Sequence, residues 1–144
     1  MARYSAGMPA AGAGTTLRPI LGILSTAAIT PVIREVHLWN TTAVACEYRL
    51  VNLTGGTPGA SIAEHKFRTN APPALCLVDG LWTADATIDE DTGFSLVLGA
   101  QIGAAGILTF GDSGLEGVLG ATKALGLVPV GTGQVCRVGL VWDE

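Results

Sequence analysis

The sequence predicts an all-β chain: a single-domain, jelly-roll-like β-sandwich with an extended N-terminal arm. Three observations carry this. Two runs keep the period-2 pattern of a strand: Cys46, Tyr48 and Leu50 alternate with Glu47 and Arg49, and Cys136, Val138, Leu140 and Trp142 alternate with Arg137, Gly139, Val141 and Asp143. Clusters of Gly, Pro, Asn and Asp separate short apolar stretches along the whole chain, which holds 20 glycines and 7 prolines. No stretch keeps a helical period free of glycine. Many short strands between turn clusters read as a sandwich or jelly roll.

Residues 1–14 (MARYSAGMPAAGAG) are small and flexible in composition and are expected as an arm, leaving 15–144 as the β-sandwich domain. A chain of 144 residues buries roughly 70% of the surface of its unfolded form, so disulfides are not required. Within Thr15 to Leu24 (TTLRPILGIL), Pro19 has no N–H to give a ladder and points to an edge strand or extended segment. Arg18, Pro19 and Ile20 are therefore candidate interface residues.

Ile33 to Thr54 reads as a β-hairpin turning at Asn40-Thr41-Thr42. In its second arm Val44, Cys46, Tyr48 and Leu50 share one face, with Ala45, Glu47 and Arg49 on the other. Trp39 falls on the face opposite Val36 and Leu38 and is a candidate subunit contact. Gly55 to Gly59 is a turn. Ser61 to Arg68 fits either a short polar strand or one helical turn. Asn70 to Pro73 is a loop, and Ala74 to Val78 is an apolar strand ended by Asp79-Gly80. Leu81 to Ile88 alternates weakly before an acidic turn, Asp89 to Gly93. Phe94 to Leu98 and Gly106 to Phe110 suit buried strands. Leu115 to Leu127 is read as loop and strand, because each of Gly117, Gly120 and Gly126 costs about 1 kcal/mol in a helix interior. The terminal strand lies in Gly133 to Glu144, expected beside the hairpin.

Charged residues make up 14% of the chain and hydrophobic ones 49%. A free globular domain carries about 25% charged residues, so much of this surface is expected to be covered by other subunits. Net charge is −4 and the 8 basic residues are scattered, which argues against nucleic acid. Cys46, Cys76 and Cys136 are odd in number and far apart, and fit reduced, buried side chains assembled in a cytoplasm. No secretory signal or membrane-spanning stretch is expected, and the sequons at Asn40 and Asn52 are read as turns.

No catalytic, cofactor or metal residue is assigned. His37 lies within a strand, and His65 lies in a polar segment beside Glu64 and Lys66. Asp85, Asp89, Glu90 and Asp91 lack the spacing of a calcium loop and read as a solvated turn. Gly12-Ala13-Gly14-Thr15-Thr16 lacks the lysine and preceding strand of a phosphate loop. Trp142 is in phase with Leu140 and reads as core.

The segments GTTLRPI, IREVHLWNTTAVACEYRLVNLTGGTPG and VGLVWDE together resemble small virion proteins of tailed bacteriophages that infect actinobacteria. The most specific part is REV-x-L-x-NTT, followed by RLVNLT and a Gly-Thr-Pro-Gly turn. The resemblance implies a capsid decoration protein that binds the outer shell of major capsid protein as a small homo-oligomer, a trimer by expectation. It places the chain on the virion surface after assembly in the bacterial cytoplasm, and brings no catalytic residues. The alternative is a tail or fibre module that binds host-surface carbohydrate through loops such as Asp79 to Thr92, with Trp82 stacking on a sugar.

Overall fold

The computed structural model describes residues 1–10, 15–131 and 135–144. In chain order its strands are β1 (Arg3–Ala10), β2 (Leu21–Leu24), β3 (Val32–Asn40), β4 (Cys46–Thr54), β5 (Ala60–Ile62) and β6 (His65–Lys66). They continue as β7 (Leu77–Gly80), β8 (Thr87–Leu98), β9 (Ala105–Thr109), β10 (Leu115–Glu116), β11 (Lys123–Pro129) and β12 (Cys136–Asp143). All pairings are antiparallel and form two six-stranded sheets. Sheet A runs β10-β3-β12-β1-β6, with β9 also on β3, and sheet B runs β5-β7-β2-β11-β4-β8. The inward residues of both sheets, among them Tyr4, Leu38, Tyr48, Leu125 and Trp142, make one core, as expected of a β-sandwich.

The expected hairpin is an arch between the sheets. β3 pairs with β12, β9 and β10, whereas β4 pairs with β11 and β8, so residues 41–45 cross from one sheet to the other. The cause is that both arms are amphipathic toward the same interior: Val36 and Leu38 enter it from sheet A, Cys46, Tyr48 and Leu50 from sheet B. Buried Asn40 holds the crossing. Its Nδ2 donates to Val44 O at 2.6 Å and Gly99 O at 3.0 Å, and its backbone exchanges bonds with Ala104 and Gly103. Val44, expected in phase with Cys46, is exposed because it belongs to the crossing.

The N-terminal arm is corrected over its first part. β1 lies inside sheet A, in continuous register with β12 from Arg3↔Asp143 to Ala10↔Cys136. Tyr4, Ala6 and Ala10 are buried, and the Tyr4 ring stacks on Trp142 with centroids 5.6 Å apart. Small residues hid the alternation in the sequence, and Gly7 is demanded by close approach: an added Cβ would sit 2.8 Å from Val138 O. The rest of the expected arm, with Gly12-Ala13-Gly14, lies outside the described residues.

Three further expectations change. β2 is an interior strand between β7 and β11, not an edge, because Pro19 precedes it and costs it no ladder bond. The acidic run Asp89 to Gly93 lies within β8, where two register shifts against β4 accommodate it. Leu81 to Ala86, with Leu17 and Pro19, folds over the outer face of sheet B: Trp82 N donates to Pro19 O at 3.1 Å and Ala86 N to Leu17 O at 3.0 Å. There Trp82 packs with Val51, Leu53, Ala124 and Val128 in a second, smaller core. Ser61 to Arg68 resolves into the short strands β5 and β6, and Leu115 to Leu127 into β10, a loop and most of β11.

Candidate functional site on the outer face of sheet A

Register fixes which side chains meet on the outer face of sheet A. One row across the sheet reads Gly7, Gly139, His37, Ile107; the row on one side reads Pro9, Arg137, Trp39, Ala105; the row on the other reads His65, Ser5, Val141, Glu35, Thr109. Two adjacent strands thus place glycine side by side, and the sheet surface sinks there. Gly139 has room for a Cβ, which would meet its neighbours only at ordinary van der Waals distance, 3.4 Å or more.

The result is a trough of about 430 Å³. Its floor is Ser5, Gly7, Gly139 and Val141. Glu35, His37 and Trp39 form one wall, and His65 and Phe67 the other. Trp39 is 38% exposed and Phe67 59%. His37 steadies the first wall: its Nε2 lies 2.7 Å from Glu35 Oε2, and its ring lies 5.4 Å from that of Trp39. Arg137 makes no ion pair among the described residues. The arrangement offers flat apolar faces beside hydrogen-bonding groups.

At the end of this face Asp143 accepts two hydrogen bonds from Arg3, at 2.7 and 3.0 Å, and one from Arg34 at 2.6 Å. Arg34 also donates to the carbonyls of Gly111 and Asp112. The hydrogen bonds from Arg3 hold the Asp143 carboxyl below the usual carboxylate range, with Arg34 adding to them against the burial that opposes ionisation.

A second feature is apolar. Asn40, Thr41 and Glu47 gather one end of the sandwich by hydrogen bonds to Val44 O, Val135 O and Val130 N, and Val97 lies opposite Glu47 in the ladder. Val44, Val97, Ile102, Val130 and Val135 are all exposed there, Ile102 by 69% and Val97 by 67%.

The sequence-expected residues separate. Trp39 lies on the outer face as expected, at the trough. Pro19 and Ile20 are buried, their carbonyls bound by Trp82 N and Leu81 N, while Arg18, partly exposed, pairs with Asp85 at 2.9 Å. Trp82 is buried over Gly22 and Gly56 and has no face for a sugar. Asp85, Asp89 and Asp91 are each met by a separate cation: Arg18, Lys123 and Arg49. Among the described residues no three histidines, cysteines or carboxylates cluster as a metal site would require.

Phe67 and the role of His65 escaped sequence reasoning. Only the pairing of β1 with β6 and β12 brings them to the glycines, and no local pattern carries that pairing. A cavity of about 590 Å³ beside Tyr4, Pro72 and Leu75 is lined by Glu144, whose carboxylate is taken up by Leu75 N, Cys76 N and Trp142 Nε1. All three cysteines are buried and free; burial pushes the thiol of Cys76 up to about 12 and that of Cys136 to about 11. No family model, curated protein or solved structure matches this chain.

Proposed function

We propose that this chain is a non-enzymatic structural protein of a phage particle, a capsid decoration protein. In this reading it binds the outer surface of the head, on major capsid protein, as a small homo-oligomer. The observation that carries the proposal is the apolar end of the sandwich. Five aliphatic side chains, Val44, Val97, Ile102, Val130 and Val135, stand exposed at this end, where Asn40 holds the crossing through hydrogen bonds to Val44 O and Gly99 O. Several large aliphatic side chains left exposed at one end of a domain suit a protein contact. The low charge of the chain agrees with a surface partly covered in its working state.

The decisive measurement is the location and copy number of the chain in purified particles. Hundreds of copies on the head support decoration, and shells incubated with an Ile102→Asp variant should bind less of it than of the parent protein. Absence from particles, or a handful of copies confined to the tail, would overturn the reading.

A further inference from the structure

We propose that the trough on the outer face of sheet A is a binding site for a neutral, hexose-containing glycan. The site goes beyond the head-docking reading and lies on a different surface from the apolar end.

The shape comes first. β6 and β3 are separated by β1 and β12, so the walls stand about 14 Å apart at the strand spacing of about 4.8 Å. The glycines at the centre leave a flat bed between them. A volume of about 430 Å³ falls within the roughly 300–1,000 Å³ of small-ligand sites.

The backbone then restricts the occupant. β12 runs beneath the trough and is paired on both sides, to β1 and to β3, along its whole length. An extended peptide lying over it has no ladder groups to join, so strand addition is closed at this place. The occupant must be gripped by side chains alone.

Those side chains are of two kinds. Trp39 and Phe67 present large apolar rings to solvent. Glu35, His65, Arg137 and Ser5 present acceptors and donors within the same depression. A pyranose matches both, laying its apolar C–H face on a ring while its hydroxyls exchange bonds around the edge. One carboxylate and one guanidinium among the lining residues cancel, which favours a neutral sugar over an anionic one. Trp39 is preordered by its contact with His37, which itself bonds Glu35, so binding immobilises few side chains.

The test uses the full chain with maltohexaose, cellohexaose, mannohexaose, chitohexaose and β-1,4-galactohexaose, read by saturation-transfer NMR and tryptophan fluorescence. Trp82 and Trp142 are buried, so a ligand-dependent change reports Trp39. At least one of the five should bind. Trp39→Ala should weaken that binding tenfold or more. Gly139→Val should do the same by filling the bed; its added Cβ meets only ordinary contacts, and an unchanged circular-dichroism spectrum and thermal midpoint check that the fold is kept. Ile102→Ser, at the apolar end, should bind the sugar unchanged, which separates this site from head attachment. Failure of all five sugars, or full binding by Gly139→Val, would overturn the proposal. So would a Trp39→Ala variant that changes only the oligomeric state in sedimentation, because the trough would then be a contact between copies.

Discussion

Arg34 donates its Nε to Asp143 Oδ2 at 2.6 Å at the point where β3 and β12 slip register between Val141 and Trp142. The slip turns Arg34 toward the outer face, where it shares the carboxylate with Arg3. Asp143 is only 4% exposed. Asp143→Ala leaves the largely buried Arg34 without its anion, while the half-exposed Arg3 is screened by water, and should cost about 2 kcal/mol. The check is a lower denaturant midpoint with an unchanged slope.

The pH dependence of stability follows from three carboxylates held below their usual range. Asp143 is lowered first by Arg3, Asp89 by the Thr54 hydroxyl and then Lys123, and Asp91 by Gly93 N–H and then Arg49. With the folded pKa depressed, the unfolded chain takes up protons first as the pH falls. The stabilisation is complete above the ordinary carboxylate pKa of about 4 and drains away as pH falls through the folded values. Stability should therefore be flat across neutral pH and fall below about pH 4, with a shallower fall in Asp143→Asn. Denaturant titrations at a series of pH values decide it, and stability that rose on acidification would contradict the assignment.

The thiols of Cys76 and Cys136, pushed up to about 12 and about 11 by burial, carry almost no thiolate at neutral pH. Ellman's reagent should leave the native protein essentially unreacted at pH 7.5 and label three thiols per chain once guanidinium unfolds it. Rapid native labelling would show that the core opens locally.

Trp82 and Gly56 are coupled. Gly56 has a φ of 77°, and a Cβ there would lie 2.9 Å from the indole of Trp82. Gly56→Ala should cost about 1–3 kcal/mol through strain and overpacking. Trp82→Ala should cost about 3–5 kcal/mol by emptying the second core. The double variant should cost less than the sum, since the smaller side chain removes the clash.

Deletion of residues 1–10 should prevent folding, which circular dichroism and gel filtration would report directly. The deletion removes the partner along the full length of one edge of β12 and takes Tyr4 from its stack on Trp142. A truncated chain that kept the native spectrum would contradict the placement of β1.

What was legible followed from period. Cys136, Val138, Leu140 and Trp142 are buried, as their alternation requires, and Trp39 stands on the other face from Leu38. What was not legible depended on partners. Two alternating runs joined by Asn40-Thr41-Thr42 look alike whether they pair with each other or face each other across a core, and here the capping bonds of Asn40 favour the second. In β8 the carboxylates suggested a turn because their partners Arg49 and Lys123 lie on other strands. The trough was hidden for the same reason: Gly7 and Gly139 become a bed only when β1 and β12 align.

That alignment also sets an order on folding. Arg3 and Asp143 are 140 positions apart in the chain yet clasp each other. During synthesis the first strand must wait, without its partner, until the last has emerged. Loops closed over such distances form late, and the molecule should belong with the slow-folding β-proteins. A long interval with only the two-residue pairing to β6 available makes the small, weakly apolar composition of β1 an advantage, since MARYSAGMPA offers little for a wrong neighbour to hold.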